Sequence, residues 1–264
     1  MNAPFKCLFC NSTEELFSSQ EHIIPHSLGN DILVLEKGWI CDKCNNICSA
    51  FESRAINNSN LGAERAILGV ITKKGKPARS KFGKVYWNAE PTLEKNIISI
   101  DKKDLKKTAY FYNEETNKGK IIIPIHDKFN YDITKLLLKI GVEILCKVEN
   151  IIHFNSKPSL QSAKEHVLGI NNKIWPYFVI LSDNIDKHLI SIFSETPDTH
   201  EYVTSLGFDI FFNEVQEDII LFFTYGHFKY AINLNSRDPN WINELKKLKI
   251  SYVGCPVEFV GYNA

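Results

Sequence analysis

The sequence predicts an α+β protein, and three observations lead there. Two Cys-x-x-Cys pairs bracket a polar, turn-rich segment within residues 1–62; Asp132–Asn150 has helical periodicity; and short strand-like runs fill the chain after residue 175. A chain of 264 residues suffices for one large domain or two smaller ones. Its 44% apolar and 23% charged residues are the proportions of an ordinary globular protein. No stretch approaches the roughly 18 uninterrupted apolar residues that a membrane span requires. The opening Met-Asn-Ala-Pro-Phe-Lys-Cys lacks the charged start and apolar run of a secretory signal, so a cytoplasmic location is expected.

The elements follow in chain order. Lys120–His126 (KIIIPIH) reads as a buried strand. In Asp132–Asn150, Ile133, Leu136, Leu137, Ile140, Val142, Ile144 and Leu145 fit an amphipathic helix with a wide apolar face, and Asp132 can cap its start. A second helix is expected around Ser159–Leu168. Strand-like runs follow at Trp175–Leu181, Leu189–Phe193, Ile219–Thr224 and His227–Asn233, with Tyr225-Gly226 joining the last two as a tight hairpin. Residues 240–248 read as a short helix and Tyr252–Val260 as a final strand.

Charge is uneven along the chain although it balances overall, 31 basic against 31 acidic residues. Arg65–Lys84 holds seven basic residues and no acidic one, while Ser182–Asp218 holds nine acidic residues and one lysine. The first stretch attracts phosphates and the second repels them.

Five of the seven cysteines fall in the first 48 residues, and Cys7-Leu-Phe-Cys10 and Cys41-Asp-Lys-Cys44 form two knuckles 30 residues apart. Each Cys-x-x-Cys turn can offer two thiolates to one tetrahedral ion, so the two knuckles together complete the shell of a zinc ion. Four protein ligands make a closed, structural site. The intervening segment is too polar to bury a core of its own, so the metal should supply much of its folding energy. A redox Cys-x-x-Cys would come singly and open a helix in a βαβ context, which is missing here. Cys48, four residues after Cys44, is a spare thiol or a packing residue, with metal ligation as the alternative.

Between the knuckles runs Glu21-His22-Ile23-Ile24-Pro25-His26-Ser27-Leu28-Gly29-Asn30, and the second knuckle continues as Cys44-Asn45-Asn46. Phosphodiester hydrolysis needs a base for water, a cation for the charge growing on phosphate, and stabilisation of the leaving oxygen. Glu21 offers a hard carboxylate oxygen suited to Mg²⁺ or Mn²⁺. His22, next to it, titrates close to neutral pH, where a general base works best. Asn45 would supply a second oxygen to the ion from a position fixed by the zinc. Pro25 and Gly29 are turn residues, and His26 reads as a loop histidine whose alternative role is assistance to metal or phosphate.

These residues resemble the HNH endonucleases, specifically the branch with a Cys-x-x-Cys, an Asp/Glu-His-Ile-x-Pro segment and a closing Cys-x-x-Cys-Asn, over about residues 5–62. The resemblance implies a ββα-metal domain, a hairpin and a helix clamped around one catalytic divalent cation. It makes Glu21 and Asn45 the ligands of that cation, His22 the base, DNA the substrate, and a 5′-phosphate and 3′-hydroxyl the products. It also suggests a setting in restriction or phage defence. One departure stands out: many HNH nucleases carry an asparagine about five residues before the second knuckle, where this chain has Glu36. Asn30 is the candidate to tether the loop instead.

The expected organisation is therefore an HNH domain over 1–62, a basic DNA-contacting extension over 63–85 and an α+β region over 86–264. In the extension, Lys73, Lys74, Lys76, Arg79 and Lys81 would contact phosphates on either side of the cut, holding DNA without reading its sequence. The C-terminal region carries no motif that assigns it a role. Recognition, regulation by a ligand or protein partner, and homodimerisation, which would give the two sites a double-strand cut needs, are all open to it. A second reading is a zinc-stabilised nucleic-acid- or protein-binding module without turnover. It shares the zinc but leaves adjacent Glu21 and His22 without a purpose.

Overall fold

The computed structural model describes residues 6–82, 85–88, 97–100, 110–116, 118–121, 130–148, 160–181, 206–213, 217–226, 228–243 and 257–260. Near the N-terminus, Glu21–His22 (β1) pairs antiparallel with Val34–Leu35 (β2), Glu21 opposite Leu35 and His22 opposite Val34. Helix Asp42–Asn57 (α1) follows, buried along Cys44, Cys48, Phe51, Ala55 and Ile56. That spacing of three and four residues is the stripe an amphipathic helix turns inward. Asp42 ties the helix start to the chain entering β1: its carboxylate accepts bonds from the backbone N–H and hydroxyl groups of Ser18 and Ser19 at 2.7–3.1 Å. A carboxylate there also suits the positive end of the helix dipole.

Helix Asn60–Ile67 (α2) begins at Ser59, whose hydroxyl accepts from the Leu61 N–H at 3.2 Å. Arg79–Phe82 (β3), Val85–Asn88 (β4) and Ile97–Ile100 (β5) form a three-stranded antiparallel sheet, and Tyr110–Asn113 (β6) pairs with Lys118–Ile121 (β7). Helices Tyr131–Val148 (α3) and Gln161–Val167 (α4) come next. The remaining strands are Tyr177–Leu181 (β8), Leu206–Asn213 (β9), Asp218–Tyr225 (β10), Phe228–Asn233 (β11) and Val257–Val260 (β12). They form one sheet in the order β12-β8-β11-β10-β9, every neighbouring pair antiparallel. The β10–β11 hairpin turns at Tyr225-Gly226, where Gly226 has φ +57°.

Alternation along β10 gives the sheet two dry faces. Leu221, Phe223 and Tyr225 join a core that runs through Leu136, Leu137, Ile140 and Ile144 of α3 to Phe51 and the knuckle residues Cys7, Leu8 and Phe9. Ile220 and Phe222 join Phe178, Ala231 and Trp241 in a smaller cluster, in which Phe178 and Trp241 meet edge to face at 5.0 Å. One continuous core therefore links the zinc-knuckle segment to the large sheet, with α3 between them.

Several expectations change in detail. Helix α3 is buried on nearly every side from Ile133 to Cys146, Lys139 and Glu143 included, so it is a central helix rather than an amphipathic one. Its cap is Asn130, whose Oδ1 accepts from the N–H groups of Asp132 and Ile133 at 2.9 and 3.3 Å. Asp132 turns outward instead and pairs with Arg54 of α1 at 2.8 Å. The strand expected at 120–126 begins at Lys118, and residues 122–126 lie outside the described part, as does Leu189–Phe193. Of the expected 240–248 helix, residues 240–243 are described: 240 is in a turn and 241–243 are helical. The divisions expected after residues 62 and 85 fall inside α2 and β4, so neither coincides with a break in secondary structure. Among the described residues, no helix is long and apolar enough to cross a membrane.

Candidate functional site

Two loops carry the thiols. In the first knuckle the Cys7 N–H donates to Ser12 O at 2.8 Å and the Asn11 N–H to Cys7 O at 3.0 Å, with Asn11 at φ +60°, a left-handed conformation that asparagine tolerates. In the second, Cys41 caps α1 and Cys44 lies in its first turn. The four Sγ atoms of Cys7, Cys10, Cys41 and Cys44 all lie within 4.8 Å of one another, and Cys10 Sγ is 3.7 Å from Cys41 Sγ. With Zn–S bonds of about 2.3 Å, a tetrahedral site has S···S edges of about 3.8 Å. The spacing fits zinc.

Electrostatics points the same way. A hydrogen bond from Cys44 holds the Cys7 thiol down to about 4, burial pushes Cys41 up to about 11, and the bond to Cys7 drives Cys44 higher still. Crowded together, Cys7, Cys41 and Cys44 favour a single negative charge, which a divalent ion would relieve. Cys48 is fully buried four residues on and stands outside this group, as a packing thiol.

The hairpin carries the acid and the imidazole. After β1, Pro25 (φ −51°, ψ 135°) leads into a 3-10 turn over His26–Leu28, closed by Gly29 at φ +91°. Asn30 then does the tethering. Its Nδ2 donates to Ile24 O and Leu33 O at 2.7 and 2.9 Å, and its Oδ1 accepts from the Leu33 N–H at 2.8 Å and the Ile32 N–H at 3.2 Å. Glu36, at the usual tethering position, is exposed.

Glu21, His22 and Asn45, from β1 and α1, line one cleft of about 480 Å³. Asn46, Glu52, His26, Arg65 and Lys73 line it too, so acid and amide oxygens share the space with cationic groups. Such a mixture suits a phosphate bridged to the protein by a metal ion. Glu21 is only 5% exposed, and burial pushes its carboxyl up while Lys139 opposes the rise. His22 is pushed below its ordinary value, first by burial and then by His26, Lys73 and Lys139, which keeps the imidazole neutral and able to accept a proton. His26 meets His22 edge to face at 5.6 Å, and its Nε2 is 3.0 Å from Asp31.

The basic stretch divides. Lys73, Lys74 and Lys76 project from the tip of a tight turn in which the Thr72 N–H donates to Lys76 O at 2.8 Å, and Ala78 N–H returns to Val70 O. Arg79 and Lys81 are exposed on β3, where the Lys81 ammonium lies 5.0 Å from the centre of the Tyr86 ring. Of these five, only Lys73 lines the cleft, together with half-buried Arg65.

Glu52, which lines the cleft, and Lys139, buried behind it, escaped the sequence reading. Glu52 follows Asn45 by seven residues, two helical turns, on the same side of α1. Lys139 comes from α3, more than a hundred residues away. Its Nζ, without solvent exposure, is 2.6 Å from Glu21 Oε1, 2.8 Å from Glu52 Oε1 and 3.2 Å from Glu143 Oε2, and it donates to His22 O at 2.7 Å. Burial alone would lower the lysine, but Glu143, Glu52 and Glu21 outweigh it and hold the ammonium charged. The available signal was the Lys139–Glu143 pair, four residues apart within the otherwise apolar run Leu136–Cys146.

A hairpin and helix held at one end by four cysteines, with an acid and a histidine on the hairpin and an amide on the helix, define a zinc-knuckle ββα module. Residues 7–60, about a fifth of the chain, match the family model described as HNH endonuclease. No curated protein and no solved structure matches the chain.

Proposed function

We propose that the protein is a metal-dependent endonuclease that hydrolyses DNA phosphodiester bonds in the Glu21–His22–Asn45 cleft. The observation that carries this reading is the convergence of those three residues on one cleft beside Arg65 and Lys73, within the HNH segment. Glu21 and Asn45 would hold the Mg²⁺ or Mn²⁺ ion, which when bound offsets the charge that builds on the phosphate. Neutral His22 takes the proton from the attacking water. Its orientation comes from β1, whose carbonyls Lys139 grips, and from the loop that Asn30 ties down. Arg65 and Lys73 engage the phosphate within the cleft; Lys74, Lys76, Arg79 and Lys81 bind the flanking backbone. The four-cysteine zinc stays out of the chemistry and fixes the start of α1.

The test is nicking of supercoiled plasmid with and without Mg²⁺ or Mn²⁺, by the wild-type protein and a His22→Ala variant that retains zinc. The expected result is metal-dependent nicking that falls at least about a hundredfold in the variant. Equal nicking by both proteins would remove His22 as the base. Plasmid binding without any cutting would favour the non-catalytic binding module.

A further inference from the structure

Three carboxylates around one buried ammonium is an unusual way to fill the centre of a protein. Desolvating an ion costs several kcal/mol unless it is well compensated, and an apolar cluster of the same volume would often be as stable. Lys139 has no solvent exposure, Glu143 none, and Glu21 and Glu52 little. The arrangement is also lopsided. Glu143 lies behind the lysine on the same helix, whereas Glu21 and Glu52 come from β1 and α1 and both line the cleft. Lys139 Nζ takes Oε1 of each, at 2.6 and 2.8 Å. Both carboxylates are therefore pinned by one oxygen, and their pinned oxygens are within about 5.4 Å of each other, the sum of those two distances. The same ammonium binds the carbonyls of His22 and Ile23 at 2.7 and 3.4 Å, so it fixes the strand as well as the acid it carries.

We propose that Lys139 is a positioning residue of the cleft, gathering Glu21 and Glu52 into a carboxylate pair that together hold the divalent cation, Glu52 thus joining Glu21 and Asn45 as an oxygen donor. This rests on the nuclease reading for the identity of the site. Asn45 and Glu52 share a side of α1, so the helix presents an amide and a carboxylate to the ion that Glu21 meets from the strand. Two carboxylates, an amide oxygen and water make the hard, oxygen-only environment that Mg²⁺ and Mn²⁺ prefer. Helix α3, outside the HNH segment, becomes a working part of the centre.

The experiment is titration of Mn²⁺ into zinc-loaded, full-length protein, following free Mn²⁺ by electron paramagnetic resonance. Glu21→Gln identifies the cleft ion. Glu52→Gln should weaken that ion about tenfold or more while zinc content and melting temperature hold. Removing Lys139 alone strands the fully buried Glu143 and risks unfolding, so the second variant is the double replacement Lys139→Met with Glu143→Leu, which leaves only the cleft-lining Glu21 and Glu52 without the ammonium. It should fold, keep its zinc, and lose about tenfold in Mn²⁺ affinity. Unchanged or tighter Mn²⁺ binding in either folded variant overturns the proposal, since the first removes a proposed oxygen donor and the second removes the positioning ammonium while leaving every proposed donor in place. Wild-type protein that takes up no Mn²⁺ overturns it too. Metal binding sensitive to Glu52 and Lys139 in a protein that never cuts DNA supports it and sinks the nuclease reading alone.

Discussion

Helix α1 carries two clusters of buried ionisable groups a few turns apart, and they reach electrical balance in opposite ways. At its start, four thiols crowd within 4.8 Å of one another, a spacing that suits a zinc ion. Further along, Glu52 meets Glu21 and Glu143 around an ammonium the protein supplies itself. The first cluster is complete only with an imported ion; the second is held before any metal arrives. Asn45 lies between them, one residue from Cys44 and two turns from Glu52. The difference teaches how the cleft can be preorganised. A zinc ion on the four thiols would set where α1 begins, the lysine sets where β1 meets it, and the cleft lies between the two.

The harshest way to break this comparison is to take the imported ion away. Replacing Cys44 by Ser, or stripping zinc with a chelator, should leave four groups that repel or stay protonated and release the start of α1. Structural zinc in isolated fingers is worth about 10–16 kcal/mol. Here Leu8, Phe9 and Phe51 also pack into the main core, so a smaller loss, on the order of 5 kcal/mol, is expected. Metal analysis with thermal melting checks it. A protein that melts normally without zinc would mean that apolar packing alone holds the knuckles.

The two clusters also differ in how far each could be read from sequence. The thiol cluster was legible because its spacing is local: Cys7 and Cys10, Cys41 and Cys44 each share one turn. Glu21, His22 and Asn45 were legible for the same reason, each sitting next to or between the knuckles, and the cleft brings them together. Lys139 was not, because its partners come from β1 and α1, and no local pattern records a contact across 117 residues. The amphipathic reading of α3 failed on the same ground. A lysine in a helix is taken for the solvent side until the tertiary structure supplies carboxylates to receive it. The large sheet was mostly legible: β8, β10, β11 and β12 were anticipated from their apolar runs. β9, with Asp209 exposed and Gly207 within it, was hidden by the acidic character of its surroundings.

A milder test acts on the loop between the clusters. Asn30 is 6% exposed and makes four bonds that close the turn after β1. Asn30→Ala would leave the Ile24 carbonyl and the Leu33 N–H unpaired in a buried loop, while the Leu33 carbonyl would keep only the Ile23 N–H. The expected cost is about 2–3 kcal/mol in a denaturant melt, with zinc retained. Nicking should fall as well, because β1 would lose its fixed exit. Full activity with lowered stability would show that Lys139 suffices to orient His22, sharpening the division of labour between the clusters.

The smallest effect belongs to the surface version of the same bridge. Arg54 and Asp132 also join α1 to α3, with Arg54 Nη2 and Nε at 2.8 and 3.0 Å from the two carboxylate oxygens, but the arginine side chain is 54% exposed. Water already solvates both ions there, salt screens them, and holding two side chains still costs entropy. Arg54→Ala should therefore destabilise by less than about 1 kcal/mol, an effect that shrinks as salt is added, and should leave Mn²⁺ uptake unchanged. The two helices are the same and so is the pairing of opposite charges. A loss at Arg54 as large as that from the buried lysine would mean that α1 needs only to be held against α3, with no special role for the ammonium at Glu21.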